Sequence, residues 1–456
     1  MKQRDSISSS EITSSFGIAM VFALLIFGLF FSIIAFAAEP PEGNNIPQKL
    51  SLEEASKIAL KNHPLLLSAE FGTQAAAANV DDVRSAYLPQ ITGEGVRTYN
   101  DRGTVIAASG GLTSSSMIER GSVGLSVSQL ITDFGKTTNL IASSKLELES
   151  QKEHTNFVRD TVLLNVISAY YEVLRTQSLL QVAEDALKTR STLFKQVSEL
   201  RKAKMKSDLD LSIGESAVAD ANLLVLKANS AVDDAQASLS EALGLKEPKI
   251  FELVNRVNIV PPPDSIGPMI STALDLNPEI AALKAEGEAL SKNVAAARDA
   301  KYPTISAIGL GGDSPYRVEH QPIAQHYEAG GFLVSIPFFT GGRLTAEEKE
   351  AEYKALAAQQ DLTAKMNELQ RDVRIAFDNV QTAYKNIEVT RQLFKSTHES
   401  LELTQARYQL GRSSIVDLNE AQLADTQAAI TEANADYEYL IQRAVLDYRV
   451  ALHVED

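Results

Sequence analysis

The chain reads ALKNHP at residues 59–64 and ALDLNP at residues 273–278, so one short motif occurs twice, almost half a chain apart. A second proline follows each copy at a matching distance, at Pro89 and at Pro303. Each half then has the same order: helical stretch, proline, β-like stretch, loop, β-like stretch, glycine and a very long helical stretch. Such an internal two-fold repeat indicates an architecture built from two copies of one unit.

Two stretches of the chain lack every strong helix breaker. Residues 136–213 and 343–410 contain neither glycine nor proline. At a rise of about 1.5 Å per residue, the second stretch would form a single helix roughly 100 Å long. Apolar or small side chains recur every three or four residues in the segments that follow, for example at Ala217, Ala221 and Leu224. This heptad-like spacing predicts long antiparallel helical hairpins.

A pair of strands is predicted in front of each long helix, at about residues 90–131 and 303–340. Residues 122–128 alternate cleanly between apolar and polar side chains, and each stretch has the length of a tilted transmembrane strand. The polar segments 100–120 and 312–330 are predicted to be long loops. Soluble hairpins that cap a helical bundle are the alternative. The side chains expected to face lipid are Val123, Leu125, Val127, Phe332, Val334, Ile336 and Phe338.

Four strands are too few to close a membrane barrel, because the smallest such barrels have about eight. Open strand edges cannot lie in hydrocarbon, since their backbone groups would lack hydrogen-bond partners. Either several copies of this chain share one barrel, or the chain is not a membrane protein.

The ends of the predicted domains follow from composition. Residues 1–38 are predicted to be a signal peptide, because Lys2 and Arg4 precede an apolar run that ends in Ala35-Phe36-Ala37, with cleavage after Ala37 or Ala38. The first repeat is assigned to residues 39–245. A proline-rich linker is assigned to 246–265, and the second repeat to 266–456.

Composition argues against several classes of function. The 456 residues carry a formal net charge of −16, which disfavours nucleic acid as a partner. The chain has no cysteine, so disulfides and thiolate metal sites are excluded. No phosphate-binding loop occurs and the histidines are scattered. We therefore assign no catalytic residue, no cofactor and no metal, and expect a protein that is not an enzyme.

The chain is predicted to reverse direction in residues 201–209 and 408–421. Gly411 stands where a helix C-cap requires a left-handed residue. Asp208 and Asp417 fall in the first turn of each returning helix, where a carboxylate favours the helix dipole. Helix capping is therefore a sufficient structural role for both aspartates.

Together these features resemble the TolC family of outer-membrane export ducts. The resemblance covers the whole chain after the signal peptide. It rests on both proline motifs, on the strand-to-helix junctions Asp133-Phe134-Gly135 and Gly341-Gly342-Arg343, and on the order of these motifs. The second reversal carries the further pattern Tyr408, Gly411, Asp417, Glu420 and Ala421.

The resemblance implies a mainly α fold with a membrane β-barrel, formed by a homotrimer. Each chain would give four strands to a shared twelve-stranded barrel among outer-membrane lipids, and its helical hairpins would form an α-barrel across the periplasm. The implied function is a passive exit duct for a tripartite efflux or type I secretion system. Its implied partners are a periplasmic adaptor protein and an inner-membrane transporter of RND or ABC type.

The resemblance also implies roles for single residues near the two reversals. The family's locking arginine falls on Ser413, one place after Arg412, and residues 201–205 replace its usual adaptor-docking segment. The implied periplasmic gate consists of Tyr408, Asp417, Glu420, Asp208 and Arg412. The implied adaptor-contacting residues are Lys202, Ala203, Lys204, Met205, Leu410, Gly411 and Ser413.

Two other functions remain open from the residues alone. A secreted coiled-coil or filament protein would explain the helices and the acidity, but not the duplicated strand pairs. A stand-alone outer-membrane porin would explain the strands without export partners.

Overall fold

The structure is a computed structural model that describes residues 49–99, 105–108, 111–114, 117–255, 258–313, 316–318, 321–323 and 326–452. The predicted signal peptide lies outside these residues. Within the described ranges, no helix combines the length and the apolar character needed to cross a bilayer.

Eight helices make up most of this part of the chain. They are α1 Leu52–Asn62, α2 Pro64–Ser85, α3 Lys136–Lys202, α4 Asp208–Ala242, α5 Gly267–Leu276, α6 Pro278–Asp299, α7 Arg343–Gln409 and α8 Ile415–Arg449. Helices α3 and α7 each contain 67 residues, and α4 and α8 each contain 35. The long helices begin after Gly135 and Gly342, whose φ angles of 118° and 87° are readily adopted only by glycine.

The two proline motifs are helix junctions. Pro64 and Pro278 occupy the first turns of α2 and α6, where the missing backbone N–H costs nothing. The residue before each proline is the N-cap. His63 accepts a hydrogen bond at Nδ1 from the Leu65 N–H (3.3 Å), and Asn277 accepts at Oδ1 from the Glu279 N–H (3.0 Å).

The histidine cap should make stability depend on pH. Burial lowers the pKa of His63, partly offset by the charge of Glu241. The unfolded chain, with an ordinary histidine pKa of about 6.5, therefore binds the proton more readily than the folded chain. The stabilisation that the neutral His63 cap provides is present above about pH 6.5. It should be lost as the pH falls toward the lower pKa of His63 in the folded chain. His63→Asn keeps a capping acceptor without a titrating group.

We expect the thermal midpoint of the natural protein to fall further than that of His63→Asn between about pH 7.5 and pH 5, the range in which histidine titrates. Differential scanning fluorimetry of both proteins measures this. Parallel pH profiles would show that the His63 cap does not contribute.

The helices pack as two hairpins joined to the shorter helices. Helix α3 packs against α4, α6, α2 and α8, while α7 packs against α8 and α6. One apolar core cluster lies between α7, α8, α5 and α6, and it includes the fully buried Val373, Val380 and Leu446. The contact between α3 and α8 connects one hairpin to the other.

Four long strands form a continuous antiparallel sheet. They are β2 Gln90–Tyr99, β5 Met117–Thr132, β7 Thr304–Asp313 and β10 His326–Ser335, paired in the order β2-β5-β7-β10. Four shorter strands accompany them: β3 Val105–Ala108 pairs with β4 Gly111–Ser114, and β8 Tyr316–Val318 pairs with both β5 and β9 Gln321–Ile323.

Two sequence predictions about these strands are wrong. Segments 100–120 and 312–330, predicted to be loops, contain the short strands β3, β4, β8 and β9 and the first residues of β5 and β10. The four short strands have too few residues for their alternation to be recognised. Ile336 and Phe338 lie beyond the end of β10, which stops at Ser335. Pro337 has no N–H to donate to a sheet ladder, so the strand cannot continue through it and ends two residues earlier.

The linker between the halves is held against the helices by side chains. Its strand β6 Glu252–Leu253 pairs in parallel with β1 Lys49–Leu50. The Tyr170 hydroxyl of α3 lies 3.1 Å from the Leu50 carbonyl oxygen and 2.8 Å from the Val254 carbonyl oxygen, which share its single proton. Burial raises the pKa of Tyr170 to about 12. Gln236 of α4 accepts from the N–H of Phe251 and donates to its carbonyl. The linker is therefore fixed against the middle of α3 and the last turns of α4.

Candidate functional site

The first helical tip, residues 203–207, connects α3 to α4. Lys204 adopts a positive φ of 61°, and the Met205 N–H returns to the Leu200 carbonyl at 2.8 Å. Ser207 caps α4 in a capping box. The Asp210 N–H donates to Ser207 Oγ (3.1 Å) and the Ser207 N–H donates to Asp210 Oδ2 (2.9 Å). The hydrogen bonds that the Asp210 carboxylate accepts from the Ser207 N–H and from the Ser207 hydroxyl lower the pKa of Asp210.

Asp208 is therefore not the capping carboxylate of this tip. In a capping box, the side chain that accepts from the N-cap N–H belongs to the third residue of the helix, which here is Asp210. Asp208 instead forms an ion pair with Arg201, with 2.7 Å between Nη2 and Oδ1. Because the Asp208 side chain is 81% exposed, this pair stabilises the tip only weakly.

The second helical tip, residues 410–414, connects α7 to α8. Gly411 has a φ of 70°, which is the left-handed conformation predicted for it. Ser414 caps α8, and Asp417 completes the box by accepting from the Ser414 N–H and from Ser413 Oγ, both at 2.9 Å. The backbone hydrogen bond is the main reason that the pKa of Asp417 is lowered. Capping by Asp417 is thus present within one chain.

Tyr408 lies in an apolar cluster that joins the hairpins. The buried members are Val197 of α3, Leu401 and Tyr408 of α7, and Ile415 and Leu418 of α8. Lys206 of the first tip places its Nζ 4.0 Å from the centroid of the Tyr408 ring, a cation–π geometry. Tyr408 therefore contacts the first tip through Lys206, and its hydroxyl has no hydrogen-bond partner among the described residues.

The structure does not bring the remaining gate residues together within one chain. Arg412 and Glu420 are both exposed, and the described residues provide neither of them with an ion pair. Sequence reasoning missed Lys206, Ser207, Asp210 and Ser414. The spacing Ser-x-x-Asp, which starts at both serines, is the signal that could have identified the capping residues.

Most residues predicted to contact an adaptor protein form an exposed end to the hairpins. Lys202 pairs with Glu199 on the same helix at 2.7 Å. Met205 and Leu410, one on each tip, are each 71% exposed. Ala203, Lys204 and Gly411 are exposed as well, and Ser413 is half-buried. Both tips thus present an apolar side chain beside basic ones.

Five of the residues predicted to face lipid share one face of the long-stranded sheet. Leu125 lies opposite Gly311 of β7, which lies opposite Glu328 of β10, and directly opposed residues share a face. Phe332 and Val334 follow Glu328 in even steps, so they are on the same face. We call Val123, Leu125, Val127, Phe332 and Val334 the apolar sheet face, and all five are exposed.

The far end of this face carries a small polar group. His326 Nδ1 lies 3.1 Å from Asp313 Oδ1, and its Nε2 lies 3.3 Å from Glu328 Oε1. Across the ranges that the structure covers, no group of three histidine, aspartate or glutamate side chains has the arrangement of a metal site.

The comparisons with known proteins agree with this architecture. The family model described as "Outer membrane efflux protein" matches residues 55–245 and 269–448. Outer membrane protein TolC of Salmonella enteritidis is 22% identical over 89% of this chain and 82% of its own length. TolC of Vibrio cholerae is 26% identical over 88% of this chain and 90% of its own length.

Solved structures show the same fold. A membrane protein from Pseudomonas aeruginosa superposes with a TM-score of 0.75 at 20% identity, and the match covers 88% of this chain and 93% of that one. The family model covers more than half of the chain, on both sides of the linker. The chain therefore belongs to the outer membrane efflux protein family and is a TolC-family outer-membrane efflux protein.

Proposed function

We propose that this protein is the outer-membrane exit duct of a tripartite efflux or type I secretion system, and that it works as a homotrimer. The observation that carries this proposal is the sheet. Among the described residues, the outer long strands β2 and β10 each pair with one neighbour only, so a single chain has two open edges. Open edges are not stable in hydrocarbon, whereas three copies would supply twelve long strands to a closed barrel.

The helices support a duct that extends into the periplasm. Helices α3 and α7, at 67 residues each, are roughly 100 Å long and are far larger than a small domain requires. We propose that three copies of both hairpins line one continuous passage. A filament could contain such helices as well, but it would not explain why the apolar sheet face is exposed.

The tips are the proposed docking end. Exposed Met205 and Leu410 with neighbouring basic groups suit a periplasmic adaptor protein, which would connect the duct to an inner-membrane transporter of RND or ABC type. The duct itself would be passive. The choice of cargo would then belong mainly to the transporter.

Epitope tags test this orientation in intact cells. A tag inserted between β3 and β4 should bind antibody on untreated cells. A tag at Lys204 should bind antibody only after the outer membrane has been opened. Trimer yield in detergent serves as the control that both tagged proteins assemble. The reverse pattern of accessibility would overturn the proposed orientation.

The proposed gate predicts an electrical property. Three copies of Asp417 and Glu420 around one axis would place like charges close together and attract cations. Asp417→Asn combined with Glu420→Gln removes the charge and leaves oxygen acceptors for the cap. We expect weaker cation selectivity and weaker block by divalent ions in single-channel recordings, with the trimer still folded.

A matched control is Asp210→Asn, which alters the equivalent capping carboxylate on the first tip. The double variant at Asp417 and Glu420 could instead keep the cation selectivity of the natural protein and have a lower thermal midpoint. That result would refute the gate and leave Asp417 with its capping role alone.

A further inference from the structure

Three buried side-chain atoms lack a hydrogen-bond partner among the described residues: Arg190 Nε, Tyr408 Oη and Gln422 Oε1. All three lie toward the tips, where the first hairpin meets the second. Buried polar atoms in folded proteins are nearly always paired with protein or with ordered water, so an unpaired donor and acceptor in one place indicate a bound group.

Arg190 belongs to α3 and is only 5% exposed. Its Nη1 donates to the Ala217 carbonyl of α4 at 3.3 Å. Burial lowers the pKa of Arg190, and the charge of Asp220 on α4 partly offsets this effect. Within the described ranges Arg190 has no ion-paired carboxylate, which is unusual for a buried guanidinium.

Arg190 and Gln422 line the same cavity. Gln422 belongs to α8 and is 4% exposed. The other residues that line the cavity are Leu193 of α3, Ile213, Gly214 and Ala217 of α4, and Ile415 and Asn419 of α8. The cavity has a volume of about 10 Å³. This is about the space that one water molecule requires. A second copy of the chain cannot supply the partner, because the helices of the same chain already bury both Arg190 and Gln422.

We propose that one water molecule binds in this cavity, accepting a hydrogen bond from Arg190 Nε–H and donating one to Gln422 Oε1. A water fits better than a small anion, because a water can both accept from Arg190 Nε–H and donate to Gln422 Oε1, whereas the carbonyl oxygen of Gln422 would repel an anion. The bridge connects α3 to α8 and therefore ties the two hairpins together near their tips. If the proposed gate is correct, this bound water stabilises the arrangement of the tips that this structure shows.

Apolar substitutions of similar shape test the bridge in the full-length protein purified in detergent. Arg190→Met leaves Gln422 unpaired, and Gln422→Leu leaves Arg190 unpaired, so each should lower the thermal midpoint, by roughly 1–3 °C. The double variant removes both polar partners and should recover most of the loss. Losses that simply add in the double variant would overturn the proposal.

High-resolution density provides a second measurement that does not depend on channel activity. The natural protein should show one peak within hydrogen-bond distance of Arg190 Nε and Gln422 Oε1, and the Gln422→Leu variant should show a weaker peak or none. An anomalous signal at this position after exchange of chloride for bromide would show an anion there and refute the water. An empty cavity in the natural protein would refute the proposal as well. Neither outcome bears on whether the protein is an export duct.

Discussion

Arginine in place of Leu125 should strongly reduce the amount of assembled trimer. Leu125 lies in the middle of β5, is 61% exposed, and has glycines opposite it on both neighbouring strands, Gly93 and Gly311. If the apolar sheet face contacts hydrocarbon, each arginine near mid-depth should cost roughly 2–4 kcal/mol. A trimer would carry three such groups. The measurement is the fraction of protein that migrates as trimer after mild detergent extraction.

The neighbouring residue provides the control. Ser126 differs from Leu125 by one position, so its side chain projects from the opposite face of the same strand. Ser126→Arg should assemble with nearly natural yield, because that face would line a water-filled passage. Equal losses in both variants would indicate a general intolerance of arginine in β5. A Leu125→Arg protein with natural yield would show that this face does not contact lipid.

Alanine in place of Gly312 should disrupt the sheet itself. A Cβ at this position would lie 2.3 Å from the Val123 carbonyl oxygen and 2.6 Å from the Gly124 Cα, and neither backbone atom can move without separating β5 from β7. The hydroxyl of Tyr327, at 2.9 Å, occupies the remaining space. Because β5 and β7 join the two halves of the sheet, we expect little or no folded protein in the outer membrane.

Gly309→Ala is the matched substitution on the same strand. Nothing lies within 4 Å of a Cβ at Gly309, so this variant should assemble normally. The comparison is made by heat-modifiable migration on gels and by the recovery of each variant in outer-membrane fractions. Equal recovery of Gly312→Ala and Gly309→Ala would contradict the close approach of β5 and β7.

The long helices could be read from the sequence because their signal is local. A segment that contains neither glycine nor proline can remain helical over a great length. The reversals between helices are marked by Gly411 and by the serines that cap the returning helices. The ends of α3 and α7 follow from the same chemistry. The sequence of one helix does not determine which other helix it packs against. The contact between α3 and α8 therefore could not be predicted from the sequence.

The strands were only partly predictable. Alternation over residues 122–128 identified β5, but it did not reveal that β5 begins at Met117 and pairs with β8. The short strands β3, β4, β8 and β9 contain too few residues for periodicity to be measured. The predicted strand was too long at Ile336 and Phe338, because the apolar alternation continues through Pro337 although the sheet ladder ends at Ser335.

In the candidate site, too, local features were predictable from the sequence and contacts between helices were not. Capping by Asp417 was foreseeable from its place in the first turn of a helix. The position of Lys206 over Tyr408, and the shared cavity of Arg190 and Gln422, join residues on different helices far apart in sequence. Such contacts depend on the packing of two hairpins, which no local pattern encodes.

Single-particle imaging of the full-length protein in detergent tests the trimeric duct most directly. The predicted particle has three-fold symmetry and a hollow rod roughly 100 Å long, as the rise of a 67-residue helix requires, with a closed barrel of twelve long strands at one end. A monomer, a solid filament or a barrel closed by another number of chains would contradict the proposed duct.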